Sequence, residues 1–525
     1  MTNERKPRSV DRRIALLIFV LCWLSFVYFF NGGSWCVNGY VDLTRAIVEQ
    51  GTLRLDDYRA NTGDWAVSGG HYYLAKYPGP SMLAVPFYFV YDALFPHAFD
   101  TFVGAQAAVH MTTAFTVSLL AAFAFALFYL WARRFGPPLA ALAATLCISL
   151  GSVAFGYSSL LNPHMIVASC YMIAAYCLWR AADRRASGHS SPTMMLITGF
   201  ALGYAVFCEP NAVFGLLTFC GLLLYFRLGL RNWTLFILGG LPLAAALAAY
   251  NIGTFGSVFS DVYSIHDDPA MSVNPIFVPD QKMLMGVLQR PSLEVLYKIT
   301  FHPIRGLFWG SPVMILSLLG IYFFGRDKRT RPLVVACVAI ICSYLLFNSS
   351  YLYWPGGWTV GPRYLIPALP FFGVLLVPAF SRGRLLRLVA AFLAGLSIGV
   401  QLMITAVNPK APHLEAIGNP LFGYIWPLFR NGLVSTNSQH LNQYWPDIFA
   451  LATFNERWAA YNLGELAGYR GPWSLVPLLF VWLAIGALIY AVYKRPRRMQ
   501  IRNPRVARPE TEPRPFDIDT DHRLS

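Results

Sequence analysis

Long apolar stretches alternate with short polar breaks along most of the chain. Twelve of them, at about 14–31, 103–132, 137–157, 164–180, 193–208, 211–226, 234–250, 306–324, 332–348, 364–380, 388–406 and 473–493, approach or exceed the roughly 20 residues that carry a helix across hydrocarbon. The stretch 80–96 is apolar too, but it is short and bounded by prolines, so it reads as an interfacial or re-entrant helix. The breaks are of two kinds. Most are a few residues rich in Lys and Arg. Three, 32–102, 251–305 and 407–472, are long and carry carboxylates, aromatics and Gly/Pro turns. The pattern predicts an all-α polytopic membrane protein of about 12 transmembrane helices, with juxtamembrane helices and a loop-rich outside cap.

Composition agrees. Of 525 residues, 56% are hydrophobic and 13% charged, against about 25% charged in soluble proteins. Loop charge sets the orientation, because cytoplasmic loops are enriched in Lys and Arg. With both termini cytoplasmic, the short breaks and the two terminal segments together hold 28 of the 41 Lys+Arg residues, and the long outside segments are net acidic. The net charge of +15 therefore reports topology and calls for no nucleic acid partner. The expected layout is a leader at 1–13, a membrane module at 14–406, an outside cap at 407–472, a last helix at 473–493 and a disordered tail at 494–525 rich in Pro, Arg and acids. The first apolar segment follows a basic leader and lacks a clear small-residue cleavage site, so it reads as a retained anchor. The nine cysteines form no CxxC or Cys/His metal spacing, and no phosphate-loop or dinucleotide fingerprint is present.

The candidate chemistry lies outside. The first long loop holds Asp42, Asp56-Asp57, Thr62-Gly63-Asp64-Trp65, His71-Tyr72-Tyr73 and Lys76-Tyr77-Pro78-Gly79-Pro80. Asp42 opens an amphipathic stretch that ends at Gly51, where it is either the helix N-cap or a carboxylate held above the first span. Asp56 and Asp57 are either solvated turn residues or an adjacent pair whose repulsion raises one pKa. Asp64 suits a turn or chemistry beside Trp65. Lys76, ahead of a rigid Pro-Gly-Pro turn, is placed to meet a lipid phosphate or to snorkel at the interface. Asn162-Pro163-His164 forms a tight connection between spans. Arg305 and Arg363 begin spans at the outer face, against the positive-inside bias. Each therefore calls for a specific partner, either a phosphate or, structurally, Glu465 or Asp447. Asp261, His266, Asp267 and Asp268 are metal-ligand types, but their spacing fits no standard site, so no cofactor is expected. The spans are almost free of ionisable groups, His110 and Glu209 excepted, which argues against an ion-coupled transporter.

On these elements the chain resembles the GT-C superfamily of polytopic glycosyltransferases. Within it, the chain is similar to the bacterial branch related to protein mannosyltransferases and lipid A aminoarabinose transferases. The matching pieces are the cytoplasmic N-terminus, the large first outside loop with its juxtamembrane helix, Lys76-Tyr77-Pro78 at the family's Lys-Pro turn, and Asn162-Pro163 where such proteins often have Asp-Pro. The chain departs from the family just after the first span, where no acid precedes Asp42. The resemblance implies an inverting transfer of a sugar from a polyprenyl-phosphate donor to a glycan, lipid or protein acceptor at the periplasmic or extracellular face. It makes Asp42 or Asp64 the base, with Asp57 and its neighbour Asp56 next. Lys76 and Arg363 would hold the phosphate, Arg305 and His71 would assist, and Tyr72, Tyr73 and Trp358 would line the sugar or lipid. Asn162, His164, His266, Asp267 and Glu465 would support them. The rival classes are a secondary transporter, a polymerase or ligase using polyprenyl diphosphate-linked glycan, and a non-catalytic lipid-binding scaffold.

Overall fold

The computed structural model describes residues 9–258, 272–273, 287–411, 418–436 and 459–502. Seven helices are long and apolar enough to cross a membrane: Phe102–Ala132, Pro163–Ala186, Leu230–Phe255, Arg331–Ser350, Arg363–Ser381, Arg384–Val407 and Gly471–Lys494. The other five expected spans are helical but do not meet that standard. Helix α1 (Ser9–Val27) carries Asp11, Arg12 and Arg13 in its first turns. Pro138–Ser149, Pro192–Cys208, Pro210–Tyr225 and Pro312–Gly325 are shorter. Several helices start on proline, which is preset for the first helical position and has no N–H to leave unbonded there. The last helix runs on to Arg502, past the expected end at 493.

The helices differ sharply in what surrounds them. Arg363–Ser381 and Pro163–Ala186 are 83% and 78% buried over their apolar windows, whereas Leu230–Phe255 and Gly471–Lys494 are only 28% and 22% buried. The first pair therefore forms the centre and the second the rim. The rim exposes Ile237, Leu238, Leu241, Phe480 and Leu483. A contiguous apolar surface of this kind suits hydrocarbon and would be a liability in water.

Between apolar helices in lipid, close packing has to replace the hydrophobic effect. Pro192–Cys208 and Leu230–Phe255 achieve it through small residues. A Cβ on Gly199 would fall 1.8 Å from the Phe236 carbonyl oxygen, and one on Gly239 would fall 2.2 Å from that of Leu196. Charges sit at the helix ends. At one end Asp11 receives Arg133 at 2.9 Å and the Tyr129 hydroxyl at 3.2 Å, and Arg134 pairs with Asp183.

Two small antiparallel sheets lie among the helices, which composition and periodicity had not led us to expect. Strand β1 (Phe29–Phe30) pairs with β5 (Tyr461–Asn462), and β2 (Trp65–Ser68) lies between β3 (His71–Leu74) and β4 (Ser272–Val273). His110 secures the first sheet. Its ring nitrogens lie 2.9 Å from the Val27 carbonyl and 2.7 Å from the Tyr461 hydroxyl, and Phe30 stacks on it. This intramembrane histidine is thus a satisfied structural pin.

A Gly199→Leu substitution is expected to destabilise the protein by about 1–3 kcal/mol or more, since overpacking meets backbone here. Gly221→Leu, with open space around it, should be neutral. Thermal unfolding in detergent, read by size-exclusion fluorescence, compares the two.

Candidate active site

Helix α2 (Trp35–Gln50) begins seven residues earlier than the sequence pattern suggested. Ser34 is its N-cap, accepting from the Val37 amide, and Gly51 closes it in the left-handed conformation. Asp42 is therefore inside the helix and caps nothing. It is fully buried, and its Oδ1 accepts from the Asn61 side chain at 3.0 Å. Asn38, one turn earlier, donates to the Asn61 carbonyl at 2.7 Å. Together they fasten the 59–64 loop across α2. The Thr62 hydroxyl donates to the Trp35 carbonyl, and Gly63 lies flat on the Trp35 ring, where a Cβ would come within 2.5 Å.

From there a hairpin makes the first polar pair. Gly69 and Gly70 both have positive φ, the requirement of a two-residue turn whose twist matches the strands. The register sets Trp65 opposite Leu74 and continues with the Ala75 amide on the Asp64 carbonyl. Lys76 then emerges beside Asp64, at 3.2 Å. The Pro-Gly-Pro turn after it is docked on the end of Pro192–Cys208. Gly79 approaches Cys208 so closely that a Cβ would meet its sulfur at 2.5 Å, and Tyr204 donates to the Gly79 carbonyl. Helix α3 (Gly79–Leu94) continues from this turn, exposing Phe87, Phe89, Val90 and Leu94. This exposed apolar face fits the expected interfacial helix.

The docking brings the lysine turn next to Glu209, the neighbour of Cys208 in the chain. Glu209 Oε1 lies 2.5 Å from His164 Nδ1, and both side chains are buried. His164 stands at the start of Pro163–Ala186, whose N-cap is Asn162. The Asn162 side chain accepts from the His164 amide at 3.2 Å and reaches Cys36 Sγ at 3.6 Å. Tyr364 meets the His164 ring edge-on at 5.2 Å between centroids. Arg363 lies over Tyr364, 5.2 Å from the ring centroid, with Nη2 3.4 Å from its hydroxyl. Arg363 has no salt bridge among the described residues. Cys36 registers the convergence. Burial pushes its thiol up, and the charges of Lys76, Asp64, Arg363 and Glu209 all act on it. Two cations, two carboxylates and an imidazole are thus gathered around the first turn of α2.

The structure places the other expected residues elsewhere. Asp56 and Asp57 do not form a confined pair. Asp56 takes the Tyr72 amide at 2.8 Å and the His71 ring at 2.7 Å on the exposed hairpin, and Asp57 accepts from Gln50. Tyr72 receives Arg59, while Tyr73 is buried against Phe255. Trp358 packs on the apolar group of Ile404, Leu421 and Tyr424. Arg305 is a clamp, 1% exposed, whose guanidinium donates to the carbonyls of Pro355, Ile304 and Gly357 at 3.1–3.2 Å. Burial pulls its pKa down to about 10. Glu465 completes a capping box with Asn462 and accepts from Ser435 at 2.6 Å. His266, Asp267 and Asp447 lie outside the described residues.

Sequence reasoning passed over Lys410, a buried lysine whose Nζ lies 2.5 Å from the Gly33 carbonyl, and the pairing of Glu209 with His164. Gly69-Gly70 between alternating residues was an available signal for the hairpin. For the other two, only the fold brings the partners together. Among the described residues no three His, Cys, Asp or Glu side chains gather as a metal site.

The site and fold together are those of a polytopic helical membrane protein with an ionic cluster where its helices end. No protein-family model matches the chain, and no curated protein matches it. Among solved structures it is similar to ArnT from Cupriavidus metallidurans in the apo state, with 16% identity over 74% of this chain and 61% of that one and a TM-score of 0.45. ArnT bound to undecaprenyl phosphate gives 14% identity over 94% and 72%, with a TM-score of 0.47. The Archaeoglobus fulgidus oligosaccharyltransferase tethered with an acceptor peptide gives 11% identity over 84% and 59%, with a TM-score of 0.46. The chain thus spans about three fifths of two of these structures. At TM-scores under 0.5, these likenesses are too distant to assign an activity.

Two outcomes are expected. Arg305→Met strips three carbonyls of their donor, at roughly 1–3 kcal/mol for each buried group left unsatisfied. It should lower the melting temperature and expose 354–358 to protease. Asp56 gives a pH signature. Burial pushes its carboxyl up, but the Tyr72 amide and His71 ring outweigh this and hold it below the usual range. A lowered folded pKa adds stability above the unfolded value of about 3.9 and loses it as pH falls through the folded one. Hydrogen exchange of the 65–74 hairpin, corrected for intrinsic rate, should therefore stay protected to about pH 4 and open below it. Asp56→Asn should abolish that dependence.

Proposed function

We propose that the protein is a glycosyltransferase that moves a sugar from a polyprenyl-phosphate donor to an acceptor at the outer face of the membrane. The observation that carries this reading is the run of contacts from the Lys76–Asp64 pair, through Gly79 on Cys208, to the Glu209–His164 pair and, by way of Tyr364, to Arg363, where apolar helices end. The loop charge bias supports the side, and the exposed apolar face of α3 beside the Lys76 turn supports a substrate that stays in the bilayer.

A polyprenyl phosphate leaves as a stable anion, so the enzyme's main tasks are to hold it and to aim the acceptor at the anomeric carbon behind it. Lys76 is the accessible edge of the cluster, with 27% of its side chain exposed. Asp64 holds it in place. Arg363, its planar fork not engaged by a carboxylate among the described residues, is suited to grip phosphate from the other side. Of the four loop carboxylates proposed for chemistry, Asp64 alone lines this cluster as a partner of Lys76. Asp42 fastens the loop that carries Asp64. One displacement of phosphate by the acceptor inverts the anomeric centre.

Lys76→Ala is expected to cut turnover on the order of 10²-fold, as loss of one electrostatic donor does, with expression and folding intact. The measurement is release of free polyprenyl phosphate from a panel of polyprenyl-phosphate sugars mixed with delipidated host-envelope acceptor. Unchanged turnover would sink the phosphate role. Release only from diphosphate-linked glycans would favour a polymerase or ligase, and substrate flux in sealed vesicles without release would favour a transporter.

A further inference from the structure

The His164–Glu209 pair has no task in holding the phosphate, yet it occupies the middle of the cluster. Its geometry is directional. Glu209 Oε1 lies 2.5 Å from Nδ1, so a carboxylate stands against that nitrogen and leaves Nε2 as the one to meet a ligand. Nε2 makes no hydrogen bond among the described residues and, unlike Nδ1, is not sealed from solvent. Glu209 Oε2, Arg363 Nε and His164 Nδ1, the last close to Glu209 but outside hydrogen-bond geometry, are buried and make no hydrogen bond among the described residues. Buried polar atoms in native proteins are nearly always satisfied, so an incomplete set at one spot points to a polar ligand there.

Among the described residues, the loop carboxylates named for this chemistry are engaged elsewhere. Asp64 pairs with Lys76, Asp42 has no exposed surface, and Asp56 and Asp57 sit on the exposed hairpin and turn. We propose that His164 takes the proton of the acceptor nucleophile and that Glu209 positions it. The acceptor's O–H proton passes to Nε2 as its oxygen bonds to the anomeric carbon. The bond from that carbon to the phosphate oxygen breaks, and its electron pair leaves with the phosphate, facing Lys76 and Arg363. The proton on His164 is then lost to water once product departs. This role rests on the glycosyl-transfer reading.

The groups facing the ring are Glu209 from the end of Pro192–Cys208, Arg363 and Tyr364 from Arg363–Ser381, Lys76 from the turn before α3, and Tyr157. Asn162 links Cys36 to the same turn.

The test is the pH dependence of polyprenyl phosphate release by the native protein and by His164→Gln and Glu209→Gln. His164→Gln should lower kcat about 10²–10⁴-fold, the usual worth of a general base, with donor KM little changed. Glu209→Gln should lower kcat less and move the acid limb to lower pH, because a neighbouring carboxylate favours the imidazolium. A folded His164→Gln protein with native kcat, or a Glu209→Gln protein with an unmoved acid limb, overturns the role. If neither Gln variant folds, Glu209→Asp keeps the charge but sets the carboxylate back by one methylene. It should lose kcat while the acid limb stays near its native position, and full kcat in it overturns the role. Native release together with active variants removes this role alone. No release from any donor by the native protein removes the glycosyl-transfer reading, and this role with it.

Discussion

Hydrocarbon offers no hydrogen bonds to a backbone and little solvation to a charge, and the architecture is a response to that. The helices close their own ladders, and the middle of the rim turns mainly apolar side chains outward. Ionisable groups collect where helices end. Where a charge is buried, the chain brings it partners. Arg305 receives three carbonyls, and Asp11 gathers Arg133 and Tyr129. The outer cluster obeys the same rule with one difference: among the described residues its hydrogen bonding is left incomplete at Arg363 Nε, Glu209 Oε2 and His164 Nδ1.

That cluster is assembled by short-range rules acting in series. Asn38 and Asp42 tie down the loop after α2. The Gly69-Gly70 turn sets a hairpin register, the register delivers Lys76 to Asp64, and Gly79 lets the next turn settle against Cys208. Each step is local, yet the sum brings residue 76 to residues 209 and 363. The side chains are carried on loops, but the loops are braced by helix ends, which gives the precision a reacting site needs. The two cations are held differently. Lys76 is already paired with a carboxylate and would share it on meeting an anion, whereas Arg363 lies over Tyr364 with no carboxylate in salt-bridge range among the described residues.

The hydrophobic pattern by itself determined the helical class and where the apolar helices lie along the chain, because helix period and apolar run length are written locally, although only seven of the described helices are long and apolar enough to cross a membrane. The sequence also put forward Asp42, Asp64, Lys76 and Arg363 for the chemistry, with His164 only in support. It could not separate these from Asp56, Asp57, Arg305 and Glu465, which are the same residue types in similar loops. Only the tertiary structure made the distinction, since whether a carboxylate meets a backbone amide, a lysine or a histidine depends on which distant segments pack together. Arg305 looked like a phosphate ligand until its carbonyls were seen, and Glu209 looked isolated until the start of Pro163–Ala186 came against it. Hydrophobic periodicity reports what each segment must hide, whereas a site depends on which polar ends the hidden faces bring together.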